Sequence, residues 1–140
     1  MSVFLGVDLE NQAVGGVSLK AGATINGSSE ILGTAVDMGE AVGLTTGIIQ
    51  TGDVTGTPTT VALALKLVEC NTSGGTYTDI PNATLALAAH ASANNALLRY
   101  IVTGLRSKRY VKVSVTPTFV AGTSPTQPMS ACVVSQKQAV

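Results

Sequence analysis

Apolar and polar side chains alternate along much of the chain, and clusters of Gly, Pro, Asn, Ser and Thr break the alternation at short intervals. Val111, Val113 and Val115 interleave with Lys112, Ser114 and Thr116, the period of two that marks a strand with one buried face. Tyr110 leads this strand and is expected on its polar side. Val61, Leu63, Leu65 and Leu67 form a second apolar row, with Ala62, Ala64 and Lys66 turned the other way. Ala–Leu alternation also suits a helix. Here the turn chemistry of Thr57-Pro58-Thr59-Thr60 and of Asn71-Thr72-Ser73-Gly74-Gly75 confines the segment to strand length.

Further strands are predicted over Thr34–Met38, Leu44–Gln50, Ala96–Thr103 and Met129–Ser135. In Ala96–Thr103, Leu98, Tyr100 and Val102 share one face. Leu97 and Ile101 join Arg99 and Thr103 on the other, so both faces are expected to be partly covered. Tyr77–Ile80 reads as a short strand closed by Pro81-Asn82, because proline has no N–H to give a ladder. Leu85–His90 is rich in alanine, the best helix former, yet Asn94-Asn95 cuts it short. It is read as a strand running into a loop, with a one-turn helix as the alternative.

These segments amount to roughly seven to nine short strands and no long amphipathic helix, the pattern of an all-β sandwich or jelly roll. The start of the chain differs. Gly15-Gly16, Gly22 and Asn26-Gly27-Ser28-Ser29 leave it polar and weakly periodic. Residues 1–30 are therefore expected to form an extended glycine-rich arm that orders against a partner, and residues 31–140 a single β-sandwich, jelly-roll-like domain. No internal repeat and no second domain is visible.

Composition narrows the function classes. The chain is 45% hydrophobic and only 11% charged, less than half the usual share of charge, and such a surface suits an assembly in which much of it faces other protein. Formal net charge is zero, so no global field favours nucleic acid, membrane or an acidic substrate. Apolar runs such as Val61–Leu65 fall far short of the ~20 residues a bilayer span needs. Met1–Leu5 carries no basic segment leading into an apolar stretch, so assembly in a cytoplasm is expected.

Candidate chemistry is sparse. The one histidine, His90, has no acidic neighbour in sequence, and the eight carboxylates are scattered. Asp8/Glu10 and Asp37/Glu40 are close pairs, but neither has the dense oxygen-ligand spacing of a calcium loop. Cys70, His90 and Cys132 lack zinc-site spacing. Both cysteines fall in apolar strand-like stretches and read as buried reduced thiols. Thr72-Ser73-Gly74-Gly75-Thr76 has no following Lys-Ser/Thr, so it is a turn and not a phosphate loop. Sequons at Asn26, Asn71 and Asn82 matter only on a secretory route. The expectation is no catalytic residue, no metal and no cofactor.

The one charge cluster is Arg99, Arg106, Lys108, Arg109 and Lys112. Arg106-Ser107-Lys108-Arg109 reads as a basic hairpin turn, either simply solvated and discouraging edge pairing or docking on acidic protein. With aromatics at 4% of the chain, no stacking platform for nucleic acid is present.

Val61–Glu69, then Gly74-Gly75-Thr76-Tyr77-Thr78-Asp79-Ile80-Pro81-Asn82-Ala83-Thr84, resembles a recurrent pattern of small phage virion proteins. The resemblance continues through Arg106–Pro117 and ends with Gly122-Thr123-Ser124-Pro125 and a valine strand, covering roughly residues 57–136. The family is that of tailed-bacteriophage capsid decoration (cement) proteins. It implies a β-sandwich or jelly roll, a homotrimer on the outer capsid surface, the major capsid protein as partner, and Arg106, Lys108 and Arg109 as possible capsid contacts. The arm over residues 1–30 has no counterpart in the resemblance. A head-fibre, tail-tube or tail-terminator protein is the alternative within the virion. A carbohydrate-binding sandwich would be expected to display stacking aromatics, and this chain has no Trp, three Tyr and two Phe. An enzyme would need paired carboxylates or a histidine site.

Overall fold

The computed structural model describes residues 13–91 and 98–138, and among these there is no helix. The strands are β1 (Ala13–Asn26), β2 (Ile31–Leu32), β3 (Val36–Asp37), β4 (Ala41–Thr51), β5 (Thr60–Cys70), β6 (Thr78–Ala91), β7 (Leu98–Leu105), β8 (Tyr110–Val120) and β9 (Thr126–Lys137). One sheet has the order β1-β9-β4-β7 and the other β2-β8-β5-β6, with β3 also on β8. Every pairing is antiparallel. Both β2 and β3 pair with β8, at Val115/Ser114 and at Val111/Tyr110, so they are two pieces of one interrupted strand. Only β5 and β6 are sequence neighbours paired in one sheet. The other long connections cross between sheets, which is the double Greek key of a jelly roll.

The two clearest alternations in the sequence build the centre. Val61, Leu63, Leu65 and Leu67 of β5 and Val111, Val113 and Val115 of β8 are all fully or almost fully buried. From the facing sheet, Ile49, Val102, Met129 and Val133 close the core. Gly47 of β4 lies under Leu67, where an added Cβ would come within 2.8 Å of Cδ2. The sheets approach closely there because one of them presents no side chain.

The open sides of the sandwich are closed by two different devices. On one side, Ser18 of β1 stitches the sheets together. Its hydroxyl donates to the Thr34 carbonyl (3.0 Å) and accepts from Val113 N–H (3.0 Å), while Thr34 N–H donates to the Ser18 carbonyl (2.6 Å). On the other side β6 packs against β7 at Gly104. A Cβ there would fall 2.5 Å from Ala83 Cβ and 2.9 Å from Ile80 Cγ2.

Three sequence expectations are corrected. Residues 13–26 are not an arm: they form β1, paired with β9 from Ala13–Gln136 to Asn26–Thr126. Register shifts at Val17/Leu19 and Leu19/Ala23 interrupt its alternation, so that Ser18 and Leu19 are buried in succession and the period of two is hidden. Residues 1–12 lie outside the described residues. Second, β6 does not stop at Pro81-Asn82 but runs on to Ala91. It is an edge strand, its register against β5 shifts between Lys66 and Val68, and Asn82 takes a positive φ of 61°. Proline is tolerated in such an edge bulge. Third, the outer side of β7 is open, with Ile101 52% exposed. Asn94-Asn95 and Ala96-Leu97 lie outside the described residues.

Gly104→Ala is expected to force β7 away from β6 and to cost about 1–3 kcal/mol. Gly74→Ala, where a Cβ meets nothing within 4 Å, should stay within about 0.5 kcal/mol of wild type. Urea unfolding of the two variants checks the contrast, and equal stabilities would contradict the close approach at Gly104.

Candidate functional site

The β7–β8 turn gathers the expected contact residues Arg106, Lys108 and Arg109 around an open groove of about 610 Å³, also lined by Val14, Asp37, Gly39 and Glu40. The turn is held by a carboxylate. Glu69, near the end of β5, is 3% exposed and accepts from Ser107 N–H (2.6 Å), Ser107 Oγ–H (2.6 Å) and Lys108 N–H (3.0 Å). Burial alone pushes this carboxyl up, but the bonds from Ser107 and Lys108 outweigh it and hold the group below its ordinary value.

The cations of the turn are engaged within the chain. Arg106 donates to the carbonyls of Lys108 (2.8 Å) and Ala41. Lys108 Nζ donates to Thr78 Oγ1 at 2.6 Å. Arg109 grips Asp37 with two bonds, Nε to Oδ1 at 2.9 Å and Nη2 to Oδ2 at 2.7 Å. Its guanidinium also lies 5.4 Å from the centre of the Tyr110 ring. That fork, helped by Gly39 N–H, holds Asp37 at about 2. Glu40 faces Lys137 at 3.3 Å. The sequence shows a basic cluster; the fold interleaves it with carboxylates from distant segments.

The two outer faces of the sandwich differ in chemistry. On the β2-β8-β5-β6 sheet, Ala64, Ala86 and Thr116 are neighbours, and Lys66 bridges Glu30 (3.1 Å) and Asp79 (2.9 Å) while Ser114 donates to Glu30. Lys112 sits 4.2 Å over the Tyr77 ring. On the β1-β9-β4-β7 sheet, Val17 pairs with Cys132, Cys132 with Ile48, and Ile48 with Ile101. This is one apolar row across all four strands. Leu44 and Leu105, themselves cross-strand partners, continue the patch at 60% and 64% exposure. Sequence reasoning missed this face. Its only signal was apolar residues at both parities of β4 and β7, as in Ile48-Ile49 and Ile101-Val102.

Candidate chemistry elsewhere does not converge. Cys70 and Cys132 are free thiols on different sheets, the first buried and the second half-buried on the outer face. His90 pairs through its backbone with Val61 in β6. Asp37 and Glu40, read as a close pair, each face a cation instead. Asp8 and Glu10 lie outside the described residues. Among the described residues no group of three or more His, Cys, Asp or Glu side chains is placed to hold a metal. No described helix is long and apolar enough to cross a membrane.

No family model matches the chain, and no curated protein matches it. Solved structures do. The PBSX exported protein XepA aligns over 91% of this chain and 38% of its own, with a TM-score of 0.52 and 14% identity. Dimeric latent PorU from Porphyromonas gingivalis aligns over 91% of this chain and 13% of its own, with a TM-score of 0.53 and 7% identity. The C-terminal family 22 carbohydrate binding module of Clostridium thermocellum Xyn10B aligns over 98% and 92%, with a TM-score of 0.49 and 11% identity. This chain thus spans well under two thirds of the XepA and PorU chains. At these identities the likeness to XepA and PorU is one of fold, and the chain is an all-β protein of two packed antiparallel sheets.

Glu69→Gln removes the charge that holds the turn and is expected to cost about 1–3 kcal/mol at neutral pH. A depressed carboxyl contributes stability above its unfolded value, 4.5, and loses it as pH falls through the folded one. Unfolding curves of wild type and variant, separated at pH 7, should therefore converge below pH 4.5. A gap that persists undiminished into acid would contradict this role for Glu69.

Proposed function

We propose that this chain is a structural virion protein that binds the outside of an assembled phage capsid and stabilises it by bridging capsid subunits. One observation carries the reading. Of the blocks that resemble phage decoration proteins, Val61–Glu69, Gly74–Thr84 and Arg106–Pro117 fall on β5, the β5–β6 turn with β6, and the β7–β8 turn with β8. These strands are successive neighbours, β8-β5-β6, in one sheet. Three of the four blocks thus share one sheet, while the last, Gly122–Pro125 with the valine strand, passes to β9 of the facing sheet.

The physical logic of such a role needs no chemistry. A protein that binds the mature lattice and not its expanded or dissociated forms stabilises the bound state by mass action. A homotrimer adds weak contacts through effective concentration. The partner is the major capsid protein. In the Arg106–Arg109 turn Arg109 is paired with Asp37, while Arg106 and Lys108 bond to neutral oxygens and keep their positive charge for a capsid surface.

The test is reconstitution on purified capsids that lack the protein. Hundreds of copies at one class of outer-surface site, and an upward shift in capsid melting, are expected. Copies only at the tail or at a single vertex would overturn the reading in favour of a tail-tube, terminator or head-fibre component. Absence of binding would overturn both.

A further inference from the structure

We propose that the groove at the β7–β8 turn is occupied by this chain's own acidic segment, Asp8-Leu9-Glu10, docked on Arg106 and Lys108. The docking itself is independent of capsid binding. Its consequence, that a capsid surface displaces the segment to reach those two cations, rests on the proposed function.

The groove carries two cations that no carboxylate on its walls engages. Both wall carboxylates are taken, Asp37 by the Arg109 fork and Glu40 by Lys137. Arg106 and Lys108 form no ion pair among the described residues. Their partners are neutral: the carbonyls of Lys108 and Ala41 and the Thr78 hydroxyl. Glu69, buried behind the turn, offsets part of this charge, but its oxygens are occupied by Ser107 and by the Lys108 N–H. The Nε–H of Arg106 is buried with no acceptor among the described residues, so the guanidinium lacks a partner that buried donors ordinarily have.

Reach and charge select the occupant. Residues 1–12 lie outside the described residues, but the point where they join the fold is described. Ala13, the first residue of β1, pairs with Gln136 of β9, and Gln136 pairs in turn with Val42 of β4. Arg106 donates to the carbonyl of Ala41, the residue before Val42. Two strand spacings, about 10 Å, therefore separate Ala13 from the anchor of Arg106. Three residues of extended chain also span about 10 Å, which puts Glu10 within reach, and the five residues back to Asp8 span about 17 Å. Asp8 and Glu10 are two apart, so in an extended segment their carboxylates share one side, about 6.8 Å from each other. Two acids thus meet two cations, and the segment is tethered at the lip of the groove, where Val14 forms part of the wall. Exposed ion pairs are weak singly; a short tether supplies the effective concentration that lets two of them hold.

Carbodiimide coupling of the full chain, without capsids, reads the contact, because it joins a carboxylate to an amine only where the two meet. The sample is an equal mixture of light and heavy isotope-labelled protein, digested and analysed by mass spectrometry. An amide from Lys108 to Asp8 or Glu10 is expected within light chains and within heavy chains, and its yield should fall at least about fivefold in about 1 M salt. Asp8→Asn combined with Glu10→Gln should abolish it while leaving the urea unfolding curve in place, and should tighten capsid binding about fivefold. Absence of any amide from Lys108 to these residues would overturn the proposal. So would amides that join light chains to heavy ones, since the segment would then link two copies. Equal capsid affinities of wild type and variant would remove the masking role. Capsids that bind neither protein, with the intrachain amide present, would sink the proposed function alone.

Discussion

The burial of one side of β5 against one side of β4 and β9 is the constraint from which the rest of the molecule follows. Val61, Leu63, Leu65 and Leu67 have no polar alternative to packing inward, and β8 matches them with Val111, Val113 and Val115. The β5–β8 ladder runs from Thr60–Val120 to Cys70–Tyr110 without a register shift. A slip of one residue would turn every one of these side chains outward. With that central pair set, β6 and the β2/β3 pieces take its flanks, and the four-stranded sheet must lie where its own inward residues meet the row.

Closing the sandwich is a separate problem, solved with little material. Ser18 uses one hydroxyl and one carbonyl to join β1 to Thr34 and to Val113 of the opposite sheet, satisfying polar groups that would otherwise be buried unpaired. Gly104 solves it on the other side by omission, since any Cβ would strike Ala83 and Ile80. The irregularities follow from these closures. The bulges in β1 allow Ser18 and Leu19 to point inward together, and that in β6 accommodates Pro81 and Asn82.

A chain with so few charges spends most of them on itself. Glu69 holds the β7–β8 turn, Asp37 holds Arg109, and Lys66 joins Glu30 to Asp79. One outer face therefore carries ion pairs, while the other carries an apolar row between levels of Thr46/Thr103 and Gln50/Arg99. A molecule built this way presents two outer faces of different chemistry.

What the sequence determined by itself was the class of fold and its two central strands, because a strict period of two bounded by turn residues has one economical solution in water. It also disclosed the basic cluster Arg106–Arg109, since those residues are adjacent in the chain. Tertiary structure alone decided which carboxylates hold that turn. Asp37 lies 72 residues from Arg109, and Glu69 lies 38 from Ser107; no local pattern joins them. It also decided that residues 13–26 belong to a sheet, because bulges break the periodicity that would have announced a strand. The apolar outer row came last. Val17, Cys132, Ile48 and Ile101 are unremarkable where they stand in the chain, and only the pairing of four strands sets them side by side.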